Sequence, residues 1–231
     1  MTCSHSVTAP NTPSTRVSFL LQIFRRILKS FSVSVLGVLM IAGTVVANDD
    51  FKPGDQLPPF SKLISTDRTE WNSSRFDDAQ VLIIAFTCNR CPYSVDYEDR
   101  LNLLHRKYVK SGGQVRLLVI NSNAGRDESL ERMAERVKRE QFEFRYVKDA
   151  DQSVARSVGA VYTPEFFVFD EERRLVYKGA LDDATNADDA ETHYVNDAVA
   201  AILAGTPVET TAAGARGCTI RFKRRRPRRT P

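Results

Sequence analysis

At 231 residues, with 42% hydrophobic and 27% charged side chains, the chain has an ordinary globular composition, which excludes a compositionally biased polymer and predicts one domain with a real core. Its formal charge of +4 averages three unlike parts: residues 1–47 hold four basic side chains and no acid, residues 48–215 hold 21 basic against 29 acidic, and residues 216–231 hold eight basic and no acid. Beyond residue 47 the cysteines are Cys88, Cys91 and Cys218, an odd number that excludes a disulfide framework.

The amino end reads as a targeting segment. A basic stretch ending at Lys29 precedes the apolar run Phe31 to Ala47 and then Asn48-Asp49-Asp50, and Val45-Val46-Ala47 suits cleavage after Ala47. The run is shorter than the roughly 20 residues of a spanning helix, and an uncleaved anchor formed by residues 31–47 is the alternative. Either reading exports the domain to the periplasm or the exterior, where disulfides persist. The predicted organisation is therefore a signal peptide (1–47), a folded domain (48–209) and a basic tail (210–231).

Asn48 to Pro59 carries Pro53-Gly54 and Pro58-Pro59 and reads as extended, and Trp71 to Gln80 has no clear period. Val81-Leu82-Ile83-Ile84-Ala85-Phe86 is a continuous apolar run, as in a central strand covered on both faces. Cys88-Asn89-Arg90-Cys91-Pro92 follows, a spacing that lets two thiols close a small ring at a strand-to-helix junction and reads as redox chemistry. Pro92 onward is predicted helical, with Val95, Leu101, Leu104 and Tyr108 on its apolar face, until Ser111-Gly112-Gly113. Then come a strand Val115 to Ile120, a charged helix Asp127 to Glu140, a short strand Phe142 to Tyr146 and a short helix Asp151 to Val158. Val161-Tyr162-Thr163-Pro164 leads into strands Glu165 to Phe169 and Leu175 to Gly179, close enough to form a hairpin. A helix of about His193 to Leu203 closes the domain. The alternation predicts an α/β fold, a central mixed sheet flanked by helices.

This order, with Cys-x-x-Cys at the first helix and Thr-Pro before the hairpin, resembles the thioredoxin fold. The closer resemblance is to exported redoxins of the peroxiredoxin-like (AhpC/TSA) superfamily, carried by Phe86 to Tyr93, Ile120 to Asn123, Ala160 to Glu165, Tyr177 to Asp183 and Gly217 to Ile220. The resemblance implies thiol–disulfide exchange with protein thiols, disulfides or a redox donor protein, and no cofactor. It also implies a cis Pro164, with Thr163 backbone groups beside the sulfurs offering an extended substrate chain something to pair with.

A cysteine at a helix amino terminus faces unpaired N–H groups and the positive end of the dipole, which favour thiolate. Cys88 is thus expected to attack and Cys91, one turn in, to resolve. Arg90 stands where the resembled group often has His. Near Cys88 it would lower the thiolate pKa and push the pair toward oxidant behaviour; pointing away, it is a solvated surface charge. Cys218 is either an extra redox thiol reaching Cys88 or a tail cysteine with a packing role.

Leu82 occupies the position where disulfide-reducing thioredoxins keep a buried acid, and the Pro-x-x-x-Thr-x-x-Cys pattern of a peroxidase is missing around both cysteines. A thiol peroxidase is nevertheless the first alternative. A copper chaperone is the second, with Cys88, Cys91 and His193 as soft-ligand candidates; a zinc site lacks its second half. His105 is expected on the helix surface, and Asp182, Asp183, Asp188, Asp189 and Glu191 in a solvated acidic loop. The basic tail offers weak contact with an anionic membrane surface. Nucleic acid is not an expected partner, since no aromatic interleaving beyond Phe222 supports base stacking.

Overall fold

The computed structural model describes residues 51–224, so the proposed signal segment and the last basic residues lie outside the described part. Nine strands and five α-helices occur in that part. The strands are β1 (Leu63–Ser65), β2 (Glu70–Trp71), β3 (Val81–Phe86), β4 (Val115–Asn121), β5 (Tyr146–Lys148), β6 (Tyr162–Thr163), β7 (Glu165–Phe169), β8 (Leu175–Gly179) and β9 (Cys218–Thr219). The helices are α1 (Pro92–Asp96), α2 (Glu98–Leu104), α3 (Leu130–Arg139), α4 (Ser153–Ser157) and α5 (Tyr194–Ala204).

Seven strands make one mixed sheet in the order β2-β1-β5-β4-β3-β7-β8. β3, β4 and β5 run parallel, and β7 returns antiparallel against β3 and pairs with β8. This is the α/β arrangement expected from the sequence. Every residue of β3 is buried, because alternate side chains enter two cores. Leu82, Ile84 and Phe86 pack with α4, the amino-terminal Phe51, Leu57 and Phe60, and Ile220. Val81, Ile83 and Ala85 pack with α2, α3 and α5 through Leu101, Met133 and Val199.

Register positions the site. Phe86 pairs with Ile120 on one side and with Glu165 on the other. Two residues past Phe86 lies Cys88, and two residues before Glu165 lies Thr163, so the pairing draws these two together at the carboxyl end of the parallel strands.

Several expectations are corrected. The long helix after Pro92 is broken: α1 ends at Tyr97 (φ −96°, ψ −3°), α2 follows, and the last turn, His105–Val109, is a π-helix. The break rotates Val95 out to solvent while Leu101 and Leu104 stay in the core. The strand expected at Phe142 to Tyr146 lies at Tyr146–Lys148, because Phe142 and Phe144 stack on each other beside Tyr146 instead of extending the ladder. His105 is half-buried rather than on the surface, and desolvation lowers its pKa.

Asp182, expected in a solvated acidic loop, is buried, and so is its partner Arg100. Arg100 donates through Nη1 to both Asp182 carboxylate oxygens at 2.8 Å, stacks on Tyr97 at 3.6 Å from the ring centroid, and Tyr97 donates to Asp182 at 3.0 Å. The pair joins α2 to the segment after β8, and periodicity could not reveal it because the partners are 82 residues apart.

Within the expected tail, residues 211–223 are hydrogen-bonded to the folded body, and residues 225–231 lie outside the described part. Lys178 N–H donates to Thr211, and Ala213 N–H donates back to Lys178, running the chain along β8. A Cβ on Gly179 would overlap the Ala213 carbonyl, so this close approach requires glycine. Further on, Arg221 and Lys223 donate backbone N–H groups to Asn123 and Gln152 at 2.8 and 2.7 Å, and Arg156 covers the Phe222 ring. Among the described residues no helix is long and apolar enough to cross a membrane.

Candidate active site

Cys88 and Cys91 lie between the end of β3 and the start of α1, both buried. Cys91, not Cys88, is the residue that caps α1, with Pro92 at the first helical position, where its missing N–H costs nothing. The expected placement of Cys91 one turn into the helix is thus corrected. The Cys91 N–H reaches Cys88 Sγ at 3.3 Å, and the Thr163 hydroxyl lies 3.4 Å from the same sulfur. Cys91 Sγ lies 3.0 Å from the Thr163 carbonyl oxygen and accepts the Cys218 N–H at 3.3 Å. The Thr163-Pro164 bond is cis, as the resemblance implies.

Two proton placements compete within this pair. With the proton on Cys88, the hydrogen bond it gives to Cys91 pulls the Cys91 thiol down to about 4 and, with burial, pushes Cys88 up. With the proton on Cys91, that thiol donates to the Thr163 carbonyl, which can only accept, and Cys88 keeps the Cys91 N–H as a donor. The second placement is the one the contacts favour, since the first sets a thiolate against a carbonyl oxygen at 3.0 Å. Under both, one proton is shared, the second is held, and one negative charge belongs to the pair.

A buried polar network underlies Cys88. Glu128 accepts from the Asn89 N–H at 2.9 Å and from Asn121 Nδ2 at 2.8 Å. Tyr146 donates to Asn89 Oδ1 at 3.0 Å while accepting from Asn121 at 2.9 Å, and burial raises its phenol well above the ordinary range. Lys148 donates to the Asn123 carbonyl at 2.6 Å; burial lowers it to about 8, and the Glu128 charge opposes that shift. Glu128 is a buried acid where Leu82 supplies none. Sequence reading missed it because Arg126-Asp127-Glu128 looks like the solvated start of a charged helix.

Arg90 does not serve Cys88. Its guanidinium extends outward to Asp127 at 2.7 Å with both side chains at least half exposed, so the solvated reading holds. Cys218 is exposed and sits opposite Thr163 in the β6–β9 ladder, which sends its N–H to Cys91 rather than to Cys88. The β6 edge expected to receive a substrate chain is therefore covered: Thr219 and Cys218 pair with Tyr162 and Thr163, and Ile220 N–H donates to Val161 at 2.8 Å. Among the described residues no three His, Cys, Asp or Glu side chains group as metal ligands, so His193 does not join the cysteines.

Residues 52–195 match the Redoxin family. The chain belongs to the Redoxin family. Among solved structures, this redoxin is similar to a hypothetical protein of Sinorhizobium meliloti 1021 (35% identity, TM-score 0.69, covering 75% of this chain and 96% of that one). An uncharacterized conserved protein of Geobacillus kaustophilus is similar at 30% identity, TM-score 0.69, covering 77% and 96%. The fold is shared with a protein assigned as the thiol:disulfide interchange protein DsbE of Chlorobium tepidum (18% identity, TM-score 0.54, covering 67% and 99%). A search of curated proteins found no match. The redoxin thus has a thioredoxin-like fold with its cysteine pair at the carboxyl end of the central strands.

Proposed function

We propose that this redoxin is an exported thiol–disulfide oxidoreductase in which Cys88 attacks and Cys91 resolves. The observation that carries the reading is the convergence of both sulfurs on Thr163, with Cys91 held 3.0 Å from its carbonyl and the Cys91 N–H turned on Cys88. A Cys88 thiolate attacks one sulfur of a substrate disulfide and expels the other as thiolate. The Cys91 thiol then loses its proton and attacks Cys88 Sγ, forming the Cys88–Cys91 disulfide and releasing the second substrate thiol. Two electrons pass from the pair to the substrate, and the reverse sequence oxidises a dithiol.

Protein substrates suit the surroundings, since Tyr93, Val95, Val161 and Tyr162 are exposed on the segments that carry the pair and the cis proline. Peroxide chemistry is disfavoured: no Thr stands at the spacing a peroxidatic cysteine uses, and Thr163 already bridges toward Cys88 and Cys218. Export rests on the basic-then-apolar pattern of residues 16–47.

Insulin reduction with dithiothreitol as donor, run beside peroxide consumption, tests the activity. Wild type is expected to turn over insulin and not peroxide, with Cys88→Ser inactive and Cys91→Ser trapped as a mixed disulfide. Peroxide turnover that survives Cys91→Ser would replace this reading with a peroxidase. Fractionation of expressing cells tests export: a product retained whole in the cytoplasm rejects it.

A further inference from the structure

Gly217 to Ile220 reaches the cysteine pair from the carboxyl-terminal part of the chain, and several observations hold it there. Cys218 faces Thr163 across an antiparallel pair, and the Thr163 hydroxyl donates to the Cys218 carbonyl at 3.2 Å. A Cβ on Gly217 would overlap the Thr163 carbonyl and press on Pro164 N, so only glycine lets the strand lie this close. Downstream, Arg221 is clamped by Asn123, Ala124 and Gln152 at 2.8 to 2.9 Å. Cys218 is thereby fixed with its N–H 3.3 Å from Cys91 Sγ.

We infer that Cys218 is a third redox thiol, exchanging with the Cys88–Cys91 disulfide through Cys91 from a strand that lies in the place of an extended substrate. The step balances without an external oxidant. A Cys218 thiolate attacks Cys91 Sγ; the Cys91–Cys218 bond forms, the Cys88–Cys91 bond breaks, and Cys88 leaves as thiolate, taking up the proton Cys218 gave away. The oxidised protein thereby regains a free Cys88 while keeping its two oxidising equivalents in a Cys91–Cys218 bridge whose Cys218 end is exposed. An incoming dithiol protein can draw on that bridge from solvent. This inference deepens the proposed oxidoreductase and rests on it.

The test is disulfide mapping of the full chain, by mass spectrometry of unreduced digests, after equilibration with oxidised and reduced glutathione. In Cys88→Ser, a Cys91–Cys218 bridge is expected to exceed glutathione adducts on Cys91 by about tenfold at about 1 mM glutathione, since a neighbouring thiol acts at an effective concentration above the millimolar range. Gly217→Val, which displaces the strand, is expected to lose most of that advantage in the Cys88→Ser background. Alone, Gly217→Val is expected to keep the Cys88–Cys91 disulfide. Separate glutathione adducts on Cys91 and Cys218 in Cys88→Ser, with Cys88–Cys91 still forming in wild type, overturn the third-thiol inference and leave the oxidoreductase standing. Failure of wild type to form either a Cys88–Cys91 or a Cys91–Cys218 disulfide overturns the oxidoreductase instead.

Discussion

Sharing one proton between two sulfurs makes alkylation of the reduced pair almost independent of pH. An ordinary thiol, with a pKa near 8.5, loses about 200-fold in thiolate between about pH 8 and about pH 5.5. In the folded redoxin sharing the proton draws one thiol of the pair well below the ordinary range, so the thiolate carried by the pair is expected to change far less over the same interval. Burial of both cysteines slows the absolute rate but cancels in the ratio. Iodoacetamide labelling of the reduced full chain, resolved by peptide mass spectrometry, reads that ratio for Cys88, with the urea-unfolded chain as the ordinary-thiol standard. In Cys91→Ser the flat profile is expected to disappear, because the partner that shares the proton is gone. A 200-fold fall in the folded wild type would refute the shared charge and with it the assignment of an activated nucleophile.

Asp182→Ala strands the Arg100 guanidinium in a buried site and is expected to cost about 3–5 kcal/mol of stability, read by urea denaturation; a loss below about 1 kcal/mol would show that the pair is solvated in solution. Arg90→Ala is expected to leave the reduction potential unchanged within about 10 mV, because the guanidinium is committed to Asp127 at the surface; a clear fall in potential would return Arg90 to the sulfurs. Burial raises the Glu165 carboxyl above its unfolded value although the N–H groups of Val161 and Tyr162 partly oppose it. The folded state therefore binds that proton more tightly, and the group's stabilisation is full below the unfolded pKa and lost as pH rises through the folded one. Glu165→Gln is expected to remove that decline over about pH 4 to 7 in urea titrations; an identical slope in both proteins would contradict it.

The parts of the fold that obey one periodicity were legible. Val81 to Phe86 is apolar throughout because it feeds two cores, and Glu165–Phe169 and Leu175–Gly179 pair where their spacing put them. What stayed hidden depends on contacts between distant residues. Arg100 and Asp182 look solvated until α2 and the segment after β8 meet. β1, β2 and β9 are two or three residues long, too short to show alternation, and exist because neighbours offer them an edge. At the site, Cys88, Cys91, Thr163 and Pro164 were legible from motif order, whereas Glu128 was masked by its charged neighbours and the path of Cys218 by the basic residues around it.

The missing acid at Leu82 acquires a different meaning once the network is in view. A carboxylate on β3 would stand in the fully buried core that Leu82 shares with Phe167 and Phe169. Glu128 instead enters from the turn before α3, where Asn89 and Asn121 hydrogen-bond it and the Lys148 ammonium supplies an opposing charge. Its negative charge opposes thiolate formation at Cys88, so it holds the second proton of the pair in place while the first leaves. Protonation of the pair is thus governed from two sides: the Cys91 and Cys218 N–H groups favour one charge, and Glu128 resists a second. Glu128→Gln keeps both hydrogen-bond acceptor contacts while removing the charge, and is expected to lower the pH at which the second thiol ionises. Thiolate absorbance near 240 nm, followed through an alkaline titration of the reduced protein, reads this shift, and an unmoved second step would place Glu128 outside the electrostatics of the pair.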